Sequence, residues 1–218
     1  MQSNSYPIRL SADSLDNLLL DLGGVLVKID FQRMARAFET LGFPHLHEMY
    51  NHQQQMELFD RFDRGQISED DFRRELFLNI AGKSITAEQF DEAWNKIIVD
   101  VSAEVLRCLE RLSRHFNLFL LSNTNSIHIR YLYQLLQQER GVQNFEAYFR
   151  KVYYSYKMGC RKPERVIFEQ VIADATLVPS RTLFVDDTLA NIETAQQLGF
   201  QVFLMPAGKL LSDVILCK

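Results

Sequence analysis

Short apolar runs bounded by turn residues recur along this chain at Leu18–Leu20, Asn117–Leu121, Val152–Tyr154, Thr182–Val185 and Gln201–Leu204. Among them lie stretches with apolar positions at helical spacing, Ala103–Arg114, Ile127–Gln138, Glu164–Ala173 and Leu189–Leu198. Strands alternating with helices in this way predict an α/β fold built on a parallel sheet with helices on both faces. The run Leu118-Phe119-Leu120-Leu121 is apolar at every position, as a strand covered on both sides requires. From about Phe31 to Asp100 the rhythm changes to helical periodicity with no convincing strand. Gln32–Leu41 predicts one helix and Leu46–Phe62 a second, with Met49, Met56, Leu58, Phe59 and Phe62 as its apolar points. Ser68, with an acid three residues on, opens a third, and Thr86-Ala87-Glu88-Gln89 opens a fourth in capping-box form, running to about Ile98. The expected division is a core of residues 1–31 and 101–218, with residues 32–100 inserted as a helical cap over the carboxyl edge of the sheet.

Composition narrows the classes of function. At 218 residues, 47% hydrophobic with sixteen Phe, the chain has ample material for one large core or a core with an insertion. A formal net charge of -4 gives no polybasic field, which argues against nucleic acid and anionic membrane as partners. No apolar run approaches the ~18 residues of a membrane span, and the polar N-terminus lacks the apolar centre of a signal peptide. The three cysteines, Cys108, Cys160 and Cys217, fit neither a disulfide framework nor a zinc spacing, so a reducing cytoplasm is the expected compartment. Asp60 to Asp71 has the outline of a calcium loop, but Phe62 and Arg64 stand where oxygen ligands are needed, so the segment predicts a helix-turn-helix corner.

The candidate chemistry sits at strand ends. Leu18-Leu19-Leu20-Asp21 closes an apolar run with a carboxylate, and Gly23-Gly24 follow. A buried strand carries a charge to the rim of a sheet in this way, and a backbone without Cβ lets a ligand or metal come close. Asp before a glycine turn is also ordinary turn punctuation. Ser122-Asn123-Thr124-Asn125 follows the second sheet strand; its hydroxyls and N–H groups suit a bound phosphate or cap the next helix. Pro163 fits the first position of a helix and sets Lys162 just before the N-terminus, where an ammonium opposes the dipole and needs a compensating anion. The alternative is a solvated loop lysine. Asp186-Asp187 ends another buried strand in adjacent carboxylates, whose repulsion a hard divalent cation such as magnesium relieves.

Asp21, Ser122, Lys162 before Pro163, and Asp186-Asp187, in this order, make nearly the whole chain resemble the haloacid dehalogenase-like hydrolase superfamily. It is similar in particular to sugar-phosphate phosphatases with Asp-Leu-Gly at the first motif. The resemblance implies a Rossmann-like core, an alpha-helical cap and a Mg2+-dependent phosphatase of a small phosphorylated metabolite, foremost a sugar phosphate. It implies Asp21 as nucleophile through an aspartyl-phosphate, with Lys162 beside it. Asp21, the Gly23 carbonyl, Asp187 and (directly or through water) Asp186 would hold the metal. Ser122, the Asn123 N–H and Lys162 would hold the transferring oxygens, and Asn191 would orient Lys162.

One departure stands out. Most phosphatases of the superfamily carry an aspartate two residues after the nucleophile as general acid and base, and here that position is Gly23. The help lost is typically ~10²–10⁴-fold. Asp30 and His128 are candidates to replace it, beside a water chain or a leaving group that needs no proton; His128 otherwise reads as a partly buried helix residue. The cluster Tyr148, Phe149, Tyr153, Tyr154 and Tyr156 reads as core and rim, and Cys160 as packing. Two other functions compete: a haloacid dehalogenase, which has no need of a divalent ion at Asp186-Asp187, and a non-catalytic module binding a phosphorylated ligand or protein. A phosphomutase needs a competent acid and base at the Gly23 position. Specificity is expected from cap residues within Met34–Val99.

Overall fold

A computed structural model describes residues 8–43, 50–51, 54–55, 57–78 and 85–215. In chain order the elements are β1 (Asn17–Leu20), β2 (Lys28–Ile29), α1 (Phe31–Thr40), β3 (Tyr50–Asn51), β4 (Gln54–Gln55), α2 (Glu57–Asp63), α3 (Glu69–Leu78), α4 (Ala87–Asn95), β5 (Ile98–Asp100) and α5 (Ala103–Leu112). They continue as β6 (Asn117–Ser122), α6 (Ser126–Arg140), β7 (Lys151–Tyr154), α7 (Ser155–Met158), α8 (Arg165–Ala175), β8 (Thr182–Asp186), α9 (Leu189–Gln197), β9 (Gln201–Leu204) and α10 (Leu211–Val214).

The strands β7, β6, β1, β8 and β9 lie side by side in that order as one parallel sheet, the α/β Rossmann-like architecture expected. The order reverses between β1 and β8, and open sheets of this kind bind ligands in the crevice at such a point. Leu20 pairs with Leu120 on one side and Val185 on the other, and the Asp21 N–H donates to the Val185 carbonyl at 2.9 Å. Register therefore sets Asp21 beside Asp186.

Both faces of the sheet are buried, which explains the unbroken apolar runs. Leu18, Leu20, Leu118, Leu120, Leu183 and Val185 join one core cluster, with Val105 and Leu109 of α5 and Ile127 and Leu132 of α6. Leu19, Phe119, Leu121 and Phe184 join the other, under Ile167, Phe168 and Val171 of α8 and Ile192 and Ala195 of α9. Each such side chain contributes roughly 1.5–3 kcal/mol on leaving water.

The chain leaves the sheet through β2 and returns through β5, which pair antiparallel. Between them Phe38, Phe59, Phe62, Phe72, Phe90 and Trp94 form a buried aromatic centre; Trp94 stacks on Phe59 at 5.6 Å and Phe62 on Phe72 at 4.1 Å. The capping box at Thr86 and Gln89 forms as expected, with the Thr86 N–H donating to Gln89 Oε1 at 2.9 Å and the Gln89 N–H to Thr86 Oγ1 at 3.2 Å. The corner between α2 and α3 turns at Gly65, whose φ is +66°. A Cβ there would stand 2.1 Å from the Tyr156 carbonyl oxygen.

Three expectations need correction. Of the helix expected over Leu46–Phe62, the described residues show α2, and ahead of it Tyr50 pairs with Gln55 and Asn51 with Gln54. The polar run from Asn51 to Gln55 offers no apolar stripe to continue a helix; Met49 and Met56 lie outside the described residues. Second, α4 ends at Asn95, and the β-branched run Ile97-Ile98-Val99 supplies the return strand β5 rather than a helix end. Third, Cys108 is disulfide-bonded, although the cysteine spacing fits no disulfide framework. Cys160 is a free thiol packed in the core. Among the described residues no helix is long and apolar enough to cross a membrane.

Candidate active site

Three carboxylates and one ammonium meet where the strand order reverses. Asp21 follows β1, Asp186 ends β8 and Asp187 follows it; one oxygen from each lies within 4.8 Å of the others. Lys162 Nζ donates to Asp21 Oδ1 at 2.7 Å and to Asp186 Oδ2 at 2.6 Å, and the lysine is only 1% exposed. It is no solvated loop residue. Nor does Pro163 begin the helix: α8 starts at Arg165, with Glu164 extended before it, so the anions that compensate Lys162 are the two aspartates.

Each member is held from behind. Asn191 Nδ2 donates to Asp186 Oδ1 at 2.9 Å and Oδ2 at 3.0 Å, and the Thr188 N–H donates to Oδ1 at 2.8 Å. Asn191 thus orients Asp186, which in turn accepts from Lys162. Asn123 grips the Lys162 backbone: its Nδ2 donates to the Lys162 carbonyl at 2.8 Å and its Oδ1 accepts from the Lys162 N–H at 2.9 Å. The sequence reading had used only the Asn123 N–H and missed this side-chain role. Asn125, not Ser122 or Thr124, caps α6 by accepting from the His128 N–H at 3.1 Å. Ser122, buried at the end of β6, lines the cavity, and its hydroxyl donates to the Asn123 carbonyl at 3.4 Å.

Burial above all, with Asp186 and Asp187 adding to it, pushes the Asp21 carboxyl up to about 7 against the pull of Lys162. For Lys162, burial works against the charge, but Asp186 and Asp21 outweigh it and hold the ammonium above its ordinary pKa. Asp21 and Asp186 share one ammonium, and Asp187 brings a third carboxylate oxygen within 4.8 Å of theirs, an oxygen donor set that suits a hard cation. The turn makes room for it: Gly24 has φ +73°, and a Cβ there would lie 2.1 Å from Asp187 Oδ2. The donor set fits a divalent ion such as magnesium.

Asp21, Ser122, Lys162, Asp187 and Asn191 line a cavity of about 600 Å³, which Ile29, Phe31, Asp63, Ile97, Ile98 and His128 also line. Asp30, a candidate for the missing acid, instead caps α1 by accepting from the Gln32 and Arg33 N–H groups at 2.8 and 3.2 Å. His128 stacks on Trp94 at 5.2 Å, and its Nδ1 lies 2.9 Å from Asn95 Oδ1. Burial pushes its pKa down to about 3, so the imidazole is neutral. Asp63, at the end of α2, was missed. It is 7% exposed, accepts from Asn125 Nδ2 at 3.2 Å, and is pushed up to about 6 by burial, against nearby Arg161 and Asn125. Its neighbours Arg64 and Gly65 gave only a turn signal.

A family model of haloacid dehalogenase-like hydrolases matches residues 15–199, a span that contains all four strand-end segments. The D-ribitol-5-phosphate phosphatase of Bacteroides thetaiotaomicron is 32% identical over 189 residues, covering 87% of this chain and 91% of that protein. A haloacid dehalogenase family enzyme of the same organism, crystallised as an aspartate-to-alanine mutant with magnesium and inorganic phosphate, has a TM-score of 0.85 and 35% identity, over 89% of this chain and 96% of that one. A haloacid dehalogenase-like family hydrolase of Porphyromonas gingivalis gives 0.82 and 35%, over 90% and 93%. Sequence, strand order and the aspartate–lysine crevice agree: the chain belongs to the haloacid dehalogenase-like hydrolase family.

Proposed function

We propose that this protein is a magnesium-dependent phosphatase that hydrolyses a sugar or sugar-alcohol phosphate through an aspartyl-phosphate on Asp21. The observation that carries this reading is the single Lys162 ammonium shared by Asp21 and Asp186, with Asp187 within reach of the same point. The phosphatase relative and the magnesium-bound and phosphate-bound neighbour support both the chemistry and the substrate class. Asp21, Asp187, Asp186 and the Gly23 carbonyl would hold magnesium, which lets a carboxylate approach a phosphate dianion.

Lys162 donates to one oxygen of Asp21 and leaves the other for in-line attack. Its charge, with the Ser122 hydroxyl and the Asn123 N–H, would receive the transferring oxygens, where negative charge must be neutralised. Asn191 and Thr188 fix Asp186, and Asn123 fixes the Lys162 backbone, so the donors are in place before substrate arrives. Residues 32–100 would act as the cap, with Ile29, Ile97 and Ile98 near its stem keeping the cavity dry.

The test is phosphate release from D-ribitol 5-phosphate, a panel of sugar phosphates and an aryl phosphate, with magnesium and with a chelator. Magnesium-dependent release that disappears in Asp21→Asn is expected. Metal-independent halide release from a haloacid would favour the dehalogenase. Folded protein that binds magnesium but turns over nothing would favour a binding module.

A further inference from the structure

Resting on that phosphatase reading, we propose that Asp63 is the acid–base residue that Gly23 cannot be, delivered by the helical insertion to the oxygen of the leaving group. Beyond the aspartates and Lys162 already placed, the titratable side chains described in the cavity wall are Asp63, His128, Arg161 and Glu193. Glu193 is exposed to solvent. Arg161 donates to Asp60 at 3.2 Å, and a guanidinium is no proton donor to an alkoxide. His128 is neutral and has its Nδ1 against Asn95 Oδ1, so no imidazolium is at hand to protonate an alkoxide. Asp63 remains.

Its setting is built for placement. Asp63 closes α2 immediately before Arg64, which donates from Nε to Asp60 at 2.6 Å and pairs through its other nitrogens with Glu164. Asp60 also accepts from Arg161, one residue before Lys162. Asn125, three residues after Ser122, donates to Asp63 Oδ1. The carboxyl is thereby tied to the loop after β6, and the end of α2 that carries it is tied through Asp60 and Arg64 to the loop that carries Lys162. The contact with Asn125 would be equally available to an uncharged asparagine. A buried carboxyl with that one amide for support costs free energy, a cost that makes sense for a group that must exchange protons. Burial raises its pKa, opposed by Arg161 and Asn125 and helped by Asp60, so a protonated fraction persists near neutral pH.

The steps balance. Asp21 attacks phosphorus, the bond from phosphorus to the leaving oxygen breaks, and Asp63 gives its proton to that oxygen. Water then attacks the phosphorus of the aspartyl-phosphate while Asp63 takes the water's proton. The bond to Asp21 breaks, releasing phosphate and restoring both residues.

The experiment compares D63N with wild type on D-ribitol 5-phosphate and on p-nitrophenyl phosphate, whose leaving group needs no proton. For the ribitol ester, kcat/KM is expected to fall about 10²–10⁴-fold. For the aryl ester it is expected to change less than about tenfold, with a burst of nitrophenolate as the second step slows. D63E, which keeps the ionisable group, is expected to recover part of the ribitol activity. Parallel loss on both esters, or no loss on either, in folded D63N would overturn the proposal while leaving the phosphatase reading intact. No magnesium-dependent release by wild type would overturn the phosphatase reading itself.

Discussion

Asp186, bonded to the Lys162 that lines the cavity, and Asp63, in the cavity wall, are both buried carboxylates, yet they are held in opposite ways. Asp186 accepts from Lys162, twice from Asn191 and from the Thr188 N–H. Asp63 accepts from one amide. The first is built by the sheet, where three strand ends converge and every lone pair finds a donor. The second is carried by the segment between β2 and β5 and has one amide donor among the described residues. Full satisfaction holds a charge still, which suits the stabilisation of a phosphoryl group; partial satisfaction keeps a proton exchangeable, which suits a leaving group.

The comparison can be broken most sharply at the sheet end. Asp21→Asn is expected to lower phosphate release by at least about 10⁴-fold with the far-UV spectrum unchanged, because the substitution removes the proposed nucleophile. Lys162→Met leaves Asp21 and Asp186 buried without their cation, at a cost of about 3–5 kcal/mol in denaturant unfolding. Saturating magnesium should recover part of that loss, since it binds only the folded site.

At the insertion end the sign reverses. Burial pushes the Asp63 pKa up to about 6, above the ordinary 3.8 of an aspartate, so the unfolded chain ionises first and the native state loses stability as pH rises between those values. Asp63→Asn is therefore expected to raise stability above pH 6, by about 2–3 kcal/mol, and to change nothing below about pH 4. Urea unfolding of both proteins at pH 3.5 and 7.5 checks this. The smallest effect is expected on the rim. Glu69 accepts from Arg130 at 2.8 and 2.9 Å and from Ser126 at 2.6 Å, but the pair is partly exposed. Glu69→Gln should cost no more than about 1 kcal/mol and should weaken the response of stability to salt.

The sheet half was legible because its signals are local. An unbroken apolar run ending in Asp21 or Asp186 states both a doubly buried strand and a charge at its rim. Lys162 was found for an incomplete reason: the helix dipole pointed to an anion, but the helix starts later and the anions come from β1 and β8. The insertion half was less legible because its meaning is non-local. Asp63 reads as turn punctuation until Asn125, 62 residues away in sequence, is folded against it. Likewise Ile97-Ile98-Val99 extends a helical pattern in sequence and becomes a strand only because β2 offers it a partner.

The most direct test is rapid acid quench of the magnesium-loaded enzyme turning over a phosphate-labelled substrate, followed by mapping of the label. The account predicts a hydroxylamine-sensitive phosphate on the peptide that contains Asp21, absent in Asp21→Asn and longer-lived in Asp63→Asn. Full turnover by wild type and by Asp63→Asn with no label on Asp21 at any quench time would contradict it.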